Sequence, residues 1–453
     1  MYSIGLDIGT TSICAVVIDA NTGAVLETRT APNNTKIPAE PWASLQDPAK
    51  ILAISRELVD FLTQKYGEVD GVGISGQMHG ILYLGQDGEA ESPLYTWQDG
   101  RGNLEHTGGQ NYAERLAEIT GYTLATGYGA ATHYYNCANG LVPENAKTFC
   151  TISDYVGMRL AGESSPLLHI SNAASLGLFD LRRGGFDDGA IEKSGMDFPL
   201  FPRITADFAV VGKTCRGVPV TTAIGDNQAS FIGSVADMDS SVLVNVGTGS
   251  QISFLIQNPG QGGGMETRPL TGNSFILVGS SLCGGRAYAA VEEFFRGVVT
   301  AAGFEAQNLY PVLDKLAGDF TELANPLEVG TQFCGTRENA IMRGYVKNLG
   351  LDNFTPRHLA TGVLWGIVDE LYQKFAAVAG ARQKVPATLI GSGNGIRKNA
   401  AMQKMFSQRF GMQMRIPHHK EEAAFGAALT ALVGVGRYES ISDAQKIIRY
   451  QEN

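Results

Sequence analysis

Apolar and polar positions alternate along the N-terminal segment, residues 3–30, in a way that predicts three β-strands. Ile4, Leu6 and Ile8 alternate with polar or small residues, and the run from Cys14 to Ile18 is apolar. The sequence Asn21-Thr22-Gly23 is typical of a turn, so residues 24–30 are expected to form the third strand. Successive side chains of a strand point to opposite faces, which is why a period of two indicates a strand.

A helix is predicted near residues 49–65, because apolar side chains recur there with helical spacing. Its expected buried face consists of Ile51, Ile54, Leu58, Phe61 and Leu62. The apolar segment 72–74 that follows predicts a short buried strand. Strands that alternate with helices are typical of the α/β class, and this is the fold class that we expect.

A short internal repeat suggests that the chain has two similar halves. The segment Asp7–Ser12, DIGTTS, has a counterpart in Asn245–Ser250, NVGTGS, and apolar strand residues flank both copies. Chance can produce so short a match, but the shared strand–turn–strand context favours a duplication. Each half would then present one loop to a common cleft. The predicted boundary lies near residue 235 and gives two domains, residues 1–235 and 236–453.

Composition narrows the classes of function. The chain has 453 residues, enough for two domains with cores of their own, and its net charge of −10 argues against a nucleic-acid partner. The cysteines form no Cys-x-x-Cys pair, which is typical of reduced thiols in a cytoplasmic protein. Asp7 interrupts the only early apolar stretch, so we expect no signal peptide, no membrane segment and a cytoplasmic location.

The two glycine–threonine loops predict a phosphate site. Backbone N–H groups in such turns form a concave cluster of donors for an anion, and Thr and Ser hydroxyls add further donors. Two loops of this kind could bind the β- and γ-phosphates of ATP. Asp7 would repel a bare phosphate, so its presence indicates a Mg²⁺ ion between the carboxylate and the phosphate oxygens. The alternative is a solvated hairpin turn, in which these residue types are also common.

Two glycine turns in the second half are candidates for an adenosine site. In the segment Thr388–Phe406, apolar residues lead into Gly391-Ser392-Gly393, and a helix is expected to follow with Met402, Met405 and Phe406 on one face. Glycine allows a flat ring to approach the backbone closely. An ordinary strand–helix connection is the alternative. A similar unit is predicted after Gly284-Gly285, with a helix that buries Ala287, Ala290, Val291, Phe294 and Phe295.

Asp226 is the candidate catalytic acid or base. It follows a short apolar run and Gly225 in the segment Ala223–Ser230, AIGDNQAS, just before the second loop. Phosphoryl transfer needs a group that accepts the proton of the attacking hydroxyl or orients it, and a carboxylate suits that purpose. The alternative is that Asp226 only caps the N-terminus of a following helix.

Two segments have the composition of a polyol site. Ser75–Gly80, SGQMHG, offers amide and imidazole groups, and Thr96–Arg101, TWQDGR, offers an indole ring beside an acid and a base. Sugars need several fixed hydrogen-bonding groups and an aromatic plane against their C–H faces. Taken singly, His79 is more typical of a structural histidine and Trp97 of a core residue.

In this order, the motifs resemble those of the FGGY carbohydrate kinases over nearly the whole chain. The resemblance implies two actin-like ATPase (ribonuclease H-like) domains with a cleft between them, and ATP- and Mg²⁺-dependent phosphorylation of a primary hydroxyl of a sugar. It implies that Asp226 is the catalytic base, with Asp7 at the metal. The segment Glu421–Leu432 resembles the helix that closes the adenosine site. The residues implied to bind the nucleotide are Thr10, Thr11, Ser12, Thr248, Gly249, Gly284, Gly393 and Asn399. The residues implied to bind the sugar are Gln77, Met78, His79, Trp97, Asp99, Arg101, Asn227 and Gln228.

Within the family, five segments are most similar to sedoheptulokinases and next to xylulokinases: TWQDGR (Thr96–Arg101), TGYGAAT (Thr126–Thr132), SDYV (Ser153–Val156), SNAASLG (Ser171–Gly177) and GDNQAS (Gly225–Ser230). This similarity implies sedoheptulose 7-phosphate ahead of xylulose 5-phosphate as the product. The sequence departs from the sedoheptulokinase pattern at Ala130, Ser153 and Asn227, and the length of the ketose therefore stays open, as does another polyol. The implied partners are a small sugar and ATP, without nucleic acid or membrane, and a homodimer is the expected assembly. A non-catalytic sugar or nucleotide sensor on the same fold is the alternative from another class.

Overall fold

The computed structural model describes residues 1–260, 262, 264–305, 307–318, 320–336, 339, 341–378 and 386–452. Its α-helices are α1 Pro48–Tyr66, α2 Tyr112–Thr120, α3 Gly129–Ala138, α4 Ile152–Leu160, α5 Ile170–Ser175, α6 Asp188–Lys193, α7 Asp226–Ser234, α8 Gly285–Ala301, α9 Tyr310–Ala317, α10 Pro356–Ala377, α11 Gly393–Arg397, α12 Ala400–Phe410, α13 Glu422–Gly434 and α14 Ile441–Ala444. Short 3₁₀ helices cover Arg101–Asn103, Thr107–Gly109, Phe198–Leu200, Phe320–Glu322 and Gln445–Ile447.

The strands are β1 Tyr2–Ile8, β2 Ser12–Asp19, β3 Val25–Pro32, β4 Lys36–Ile37, β5 Leu45–Gln46, β6 Val69–Gly76, β7 Leu82–Leu84, β8 Leu94–Tyr95, β9 Thr148–Cys150, β10 Leu167–His169, β11 Phe179–Asp180, β12 Gly185–Phe186, β13 Arg203–Thr205, β14 Val210–Lys213, β15 Pro219–Thr221, β16 Ile224–Gly225, β17 Ser241–Val246, β18 Ser250–Ile256, β19 Glu266–Thr271, β20 Ser274–Ser281, β21 Glu328–Gly330, β22 Tyr345–Lys347, β23 Thr388–Ser392 and β24 Gln413–Arg415. Helices and strands thus mix along the chain, and the expected α/β class is confirmed.

The chain divides into two compact units. The first consists of Met1–Ala236, Arg268–Ser274 and Glu421–Ile448, and the second of Asp237–Thr267, Phe275–Lys420 and Arg449–Asn453. The first change of unit falls next to the boundary that the sequence predicts near residue 235. The two later segments of the first unit, by contrast, lie in the half of the sequence that was expected to form the second domain.

The first unit is built on a mixed sheet with the strand order β14-β15-β6-β1-β2-β3. Strands β1, β2 and β3 form an antiparallel meander, as the sequence predicts, and β6 pairs with β1 in parallel. The short strands β4 and β5 follow β3, and helix α1 then leads to β6, in agreement with the predicted helix. Asp47 caps its N-terminus by accepting hydrogen bonds from the backbone N–H groups of Ala49 and Lys50.

One predicted core residue of α1 lies outside the core. Phe61 is 39% exposed, and the guanidinium of Arg29 lies 3.5 Å from the centre of its ring. The other members of the predicted face, Ile51, Leu58 and Leu62, are buried, while Ile54 is half-buried. The arginine therefore shields a ring at the edge of the helix face, which periodicity alone cannot reveal.

Helix α13 packs directly on the central strands of the first unit. A Cβ atom on Gly5 of β1 would lie 1.7 Å from the carbonyl oxygen of Ala424, and one on Gly73 of β6 would lie 1.8 Å from that of Ala427. On another face of α13, a Cβ atom on Gly426 would lie 1.9 Å from the carbonyl oxygen of Ala229 in α7. Only glycine permits such close backbone contact, so these residues fix the depth at which α13 lies on the sheet.

The second unit contains a sheet in which β20, β18, β17, β23 and β24 are neighbours in that order. Strands β17 and β18 form an antiparallel hairpin, and β23 pairs with β17 in parallel. This is the arrangement of β1, β2 and β6 in the first unit. The repeat of DIGTTS in NVGTGS therefore marks a structural repeat, since each copy forms the turn of a hairpin whose first strand has a parallel neighbour.

Two expectations for the second unit need correction. The helix predicted after Gly393 is two helices, α11 and α12, separated by Lys398 and Asn399, although Met402, Met405 and Phe406 are buried as expected. In α8, Phe294 is 57% exposed and Ala290 is also exposed, whereas Ala287, Tyr288 and Val291 are buried. The buried face of α8 therefore keeps Ala287 and Val291 of the predicted face, whereas Ala290 and Phe294 lie outside it. Within the described ranges, no helix combines the length and the apolar character that crossing a membrane requires.

We expect Gly73→Ala to lower the free energy of unfolding by about 3 kcal/mol, because the added methyl group would collide with the backbone of α13. Gly189→Ala is the matched control: in α6 its Cβ would meet only Asp187 Oδ1, at 3.5 Å. Denaturant unfolding followed by circular dichroism measures both changes. Equal stability of the two variants would contradict the close packing of α13 on β6.

Candidate functional site

The first loop, Gly9–Thr11, connects β1 to β2 and has its carbonyl groups fully engaged. Gly9 N donates to Ser12 O at 2.9 Å and closes the turn. The carbonyl oxygens of Gly9 and Thr11 accept from the side chain and the backbone of Asn33, and that of Thr10 accepts from Gln46 Nε2. Neighbouring donors thus neutralise the acceptors of the turn, which favours the approach of an anion to its N–H and hydroxyl groups.

The second loop, Gly247–Gly249, connects β17 to β18, and its carbonyl groups are also all hydrogen-bonded. Its carbonyl oxygens accept from the backbone N–H groups of Gly285, Arg286 and Gly247. A Cβ atom on Gly284 would lie 2.3 Å from Gly249 O, so the turn before α8 presses directly against this loop. Thr248 is exposed at its tip. Gly249 and Gly284, two of the predicted nucleotide residues, are therefore in backbone contact.

Each hairpin carries a polar residue that bonds to a serine on the parallel neighbouring strand. Asp7 lies opposite Ser75, whose Oγ donates to Asp7 Oδ1 at 2.7 Å. Asn245 lies opposite Ser392, and Asn245 Nδ2 donates to Ser392 Oγ, also at 2.7 Å. The two copies of the repeat thus correspond in their side-chain contacts as well as in their strands. Ser75 was not predicted to have a role beyond its position in the SGQMHG segment.

Asp7 is a carboxylate in an unfavourable environment. Burial raises the pKa of Asp7 to about 7, the hydrogen bond from Ser75 opposes that rise, and the negative charges of Asp226 and Glu421 add to it. Three acids of the first unit therefore interact around β1. Glu421 belongs to the segment that the sequence placed at an adenosine site, but the structure assigns it to the first unit, before α13.

Asp226 is the first residue of α7, and Gly225 rather than Asp226 occupies the N-cap position. The capping alternative is therefore wrong. Asn227 Nδ2 donates to Asp226 Oδ1 at 3.0 Å. Burial raises the pKa of Asp226, while the hydrogen bond from Asn227 and the positive charge of Arg268 oppose the rise. Arg268 is itself buried, with Nη1 3.7 Å from Met78 Sδ, and no local sequence signal points to it.

A buried polar network supports the turn that carries Asp226. Gly225 N donates to Ser171 Oγ, and Asn172 Nδ2 donates to both oxygens of Asp154 and to the carbonyl oxygen of Ala223. Burial raises the pKa of Asp154 to about 7. These residues belong to the SDYV and SNAASLG segments, which therefore support the β16–α7 turn that carries Asp226.

The SGQMHG segment contains the last two residues of β6 and the four that follow, and Gln77 joins it to the first loop. Gln77 Oε1 accepts from Thr10 Oγ1 at 3.4 Å, and Gln77 Nε2 donates to Gln46 Oε1. Gln77 and Met78 are buried. His79 has a positive φ of 72°, and its Nδ1 lies 2.7 Å from Ser175 O, so Nδ1 carries the proton because a carbonyl oxygen can only accept. The His79 ring stacks on Tyr128 with a centroid separation of 4.5 Å.

Trp97 is exposed, in contrast to the alternative that placed it in the core. Its side chain is 45% accessible, and Nε1 donates to Thr10 Oγ1 at 3.0 Å. The carbonyl oxygen of Trp97 would lie 1.9 Å from a Cβ on Gly127, so the TGYGAAT segment supports the tryptophan backbone from behind. Thr10 of the first loop is thus joined by hydrogen bonds to both predicted sugar segments.

Asp99 and Arg101 form a buried ion pair with each other. Arg101 Nε donates to Asp99 Oδ1 at 2.6 Å, and Ser44 N donates to Asp99 Oδ2. The guanidinium also lies 4.0 Å from the centre of the Tyr95 ring and donates to Asn136 Oδ1. Gln228, another predicted sugar contact, is also buried and donates to Pro269 O. Asp99, Arg101 and Gln228 thus each have a partner within the protein, and their contact with a sugar stays a prediction.

In the second unit, Gly393 and Asn399 bracket α11. Gly393 has a φ of 81°, and a Cβ atom there would lie 2.6 Å from Val246 O, just before the second loop. Asn399 caps α12 through Oδ1, which accepts from Met402 N, and its Nδ2 donates to Asp314 Oδ1. The structure therefore brings Gly393 next to the second loop, while both polar atoms of Asn399 already have partners.

Asp7 is the residue that the sequence predicts to bind a metal ion. Within the part of the chain that the structure describes, no group of three or more His, Cys, Asp or Glu side chains is arranged to hold a metal ion. Mg²⁺ commonly binds through one or two carboxylates together with waters and substrate phosphates. The three repelling acids around β1 favour a cation there, so Asp7 fits a largely hydrated Mg²⁺.

Comparisons with known proteins match both halves of the chain. A model of the N-terminal domain of the FGGY family of carbohydrate kinases matches residues 2–233, and a model of its C-terminal domain matches residues 271–435. Sedoheptulokinase from Mus musculus is 27% identical, over 95% of this chain and 97% of its own. Xylulose kinase from Bacillus subtilis is 24% identical, over 99% of this chain and 91% of its own.

The solved structure of xylulose kinase from Rhodospirillum rubrum has the same fold. Its TM-score is 0.85 at 20% sequence identity, covering 100% of this chain and 93% of the other. At this identity the likeness establishes the fold and not the activity. It confirms the expectation of a two-domain fold of the actin-like ATPase type.

We expect Asp99→Asn to lower the free energy of unfolding by about 3 kcal/mol, because it leaves the buried Arg101 guanidinium without its counter-charge. Glu118→Gln is the matched control, since it breaks the exposed pair between Arg115 and Glu118 and should change stability little. Denaturant titration measures both variants. Loss of sugar binding by Asp99→Asn without loss of stability would instead assign Asp99 a direct contact with the sugar.

Proposed function

The chain belongs to the FGGY family of carbohydrate kinases, and on that premise we propose that it transfers the γ-phosphoryl group of ATP to a primary hydroxyl of sedoheptulose. Family membership makes it an ATP-dependent carbohydrate kinase, a phosphotransferase with an alcohol as acceptor. The observation that carries the proposal is the half-buried Asp226 carboxylate at the start of α7, in the same unit as the exposed Trp97 ring and the first loop.

Asp226 would act as the general base. Burial raises the pKa of Asp226 and makes it a better proton acceptor than a solvated carboxylate, while Arg268 favours the ionised form that a base needs. With Oδ1 held by Asn227, the hydroxyl proton would go to Oδ2. The attacking oxygen then forms a bond to the γ-phosphorus as the bond from phosphorus to the β–γ bridging oxygen breaks, and ADP leaves with that electron pair.

The sugar would lie against the exposed face of Trp97. An indole ring covers the C–H face of a sugar, and Asn227 and His79 are half-buried polar residues of the same unit. The buried residues Gln77, Met78, Asp99, Arg101 and Gln228 would hold these groups in place. Thr10 accepts a hydrogen bond from Trp97 and donates one to Gln77, and these bonds would make the first loop sensitive to an occupied sugar site.

The nucleotide would use the two glycine–threonine loops. Thr10, Thr11 and Ser12 would bind phosphate oxygens from the first unit, and Thr248 and Gly249 from the second, where Gly284 and Gly393 allow close approach. Asn399 would shape the adenosine site through α12. Asp7 would hold Mg²⁺, which when bound neutralises charge on the phosphates.

Sedoheptulose is favoured over xylulose by similarity. The Mus musculus protein that resembles this chain over almost its full length is a sedoheptulokinase, and the segments TWQDGR, TGYGAAT and SNAASLG support the same choice. Asn227 departs from the sedoheptulokinase pattern, and this residue favours xylulose as the substrate. The protein would be located in the cytoplasm, because all six cysteines are free thiols, as is usual in a reducing compartment. It would assemble as a homodimer, since two-fold dimers are the commonest assembly.

We expect Asp226→Asn to reduce turnover by about 10²- to 10⁴-fold, the usual contribution of a general base, while sugar binding is retained. ADP release measures turnover, and calorimetry with sedoheptulose measures binding. Asp197→Asn, at an exposed site with no side-chain cap bond, is the control and should keep full activity. A sensor would show no turnover in the unmodified protein and unchanged sugar binding in the variant.

A panel of ketoses and polyols tests the choice of substrate. We expect the highest kcat/KM with sedoheptulose, then xylulose, and little ADP release with glycerol or gluconate, because Trp97 and its neighbours must fit the length of the acceptor. A higher kcat/KM with xylulose would replace sedoheptulose and leave the kinase assignment in place. ATP hydrolysis that no sugar stimulates would contradict both.

A further inference from the structure

A short segment before α1, Ser44–Gln46, is bonded both to the first loop and to the TWQDGR segment, although no motif in the sequence marks it. On one side, Thr96 N donates to Ser44 O at 3.0 Å, and Thr96 Oγ1 donates to Ser44 Oγ at 2.7 Å. On the other side, Gln46 Nε2 donates to Thr10 O at 3.0 Å. This segment therefore connects the phosphate loop of the first unit to the segment that carries the exposed tryptophan.

The hydrogen bonds around Thr10 can run in only one direction. A backbone carbonyl oxygen can only accept, so Gln46 turns Nε2 to Thr10 O and leaves its Oε1 for Gln77 Nε2, at 2.9 Å. Gln77 Oε1 then accepts from Thr10 Oγ1 at 3.4 Å, while Thr10 Oγ1 accepts at 3.0 Å from Trp97 Nε1, which can only donate. Gln46 thus determines the orientation of the Gln77 amide and the direction of the one Thr10 hydroxyl proton.

Burial makes these bonds selective. Gln46 and Gln77 are each only 4% exposed, whereas Trp97 is 45% exposed. Buried amides that lose a partner are costly, because water does not replace the lost hydrogen bond. The bond from Thr10 to Gln77 is the longest of the four, so it is the easiest to open. The buried end of the network is therefore fixed, and its exposed end is available to a ligand.

We propose that Gln46 is a positioning residue for the proposed phosphoryl transfer, which holds the first loop and Trp97 in one hydrogen-bonded network through Thr10. A sugar against the Trp97 ring and a phosphate at Thr10 would then be aligned before they react. The Thr10 hydroxyl has a single proton, so it donates to a phosphate oxygen only when its bond to Gln77 opens. The effect on catalysis rests on the proposed function, whereas the coupling between Gln46 and Trp97 does not.

A double-mutant cycle tests the network in the full chain, with ADP release from ATP and sedoheptulose as the measurement. Gln46→Met keeps the volume and removes both hydrogen-bonding groups, and Trp97→Phe keeps an aromatic ring and removes the N–H. We expect Gln46→Met to lower kcat about tenfold with little change in the KM for the sugar, because Gln46 contacts no substrate. The two substitutions together should cost little more than the larger single loss, since both act through Thr10. A loss equal to the product of the single losses would overturn the network.

Nuclear magnetic resonance tests the coupling without any turnover. The chain has three tryptophans, and the indole N–H signal of Trp97 is the one that Trp97→Phe removes. This signal should shift in Gln46→Met in the absence of ligand, because the hydroxyl that accepts its hydrogen bond changes partners. An unchanged signal would overturn the network. If the unmodified chain phosphorylates no sugar at all, the proposed function fails and the signal still decides on the coupling.

Gln46→Glu provides a pH test in a variant of almost unchanged shape. An ionised carboxylate accepts from Gln77 but cannot donate to Thr10 O, whereas a protonated carboxyl does both. Burial raises the pKa of such a carboxyl, so its kcat relative to the unmodified chain should rise as the pH falls from about 8 to about 6. A constant ratio would overturn the role of Gln46 as a donor.

Gln64→Met and Gln64→Glu are the matched controls, because Gln64 is exposed on α1 of the same unit. Both should keep the kcat of the unmodified chain at every pH, and neither should move the Trp97 signal. A control that reproduced the effects of the Gln46 variants would show a general response to substitution and would overturn the positioning role.

Discussion

The parallel pairing of a hairpin strand with its neighbour is the constraint on which both halves of this kinase depend. Register places Asp7 beside Ser75 in the first unit and Asn245 beside Ser392 in the second, and each pair is joined by a hydrogen bond of 2.7 Å. A slip of one residue would turn every side chain to the other face of the strand. Strand pairing therefore determines where the polar groups of each loop stand.

Backbone contact through glycine protects this register in the first unit. Helix α13 rests on Gly5 and Gly73, and α7 rests on α13 at Gly426. Asp226 begins α7 and Glu421 precedes α13, so the same close packing positions both acids near Asp7. The repulsion among these acids destabilises the ionised forms, and a bound cation would offset it.

Local patterns were sufficient to predict β1, β2, β3, β6, α1 and the turns of the two hairpins, because the spacing of apolar residues and turn chemistry act between residues close in sequence. They could not predict that Asp99 and Arg101 neutralise each other, since Tyr95 and Asn136 complete their environment only in the folded chain. Arg268 lacked any motif, and the exposure of Phe294 depends on which elements cover α8. Long-range packing decides all three, and periodicity carries no information about it.

The carbonyl oxygens of the two loops accept hydrogen bonds from different kinds of donor. In the first loop the donors come from Asn33 and Gln46, whereas in the second loop two of the three come from Gly285 and Arg286, at the start of α8. A phosphate site that depends on a neighbouring helix terminus responds to whatever moves that terminus. The first loop depends instead on the side chains of Asn33 and Gln46 and on the backbone N–H of Asn33. The second loop is therefore coupled to the position of α8, and this difference between the units follows from which donors hold each loop.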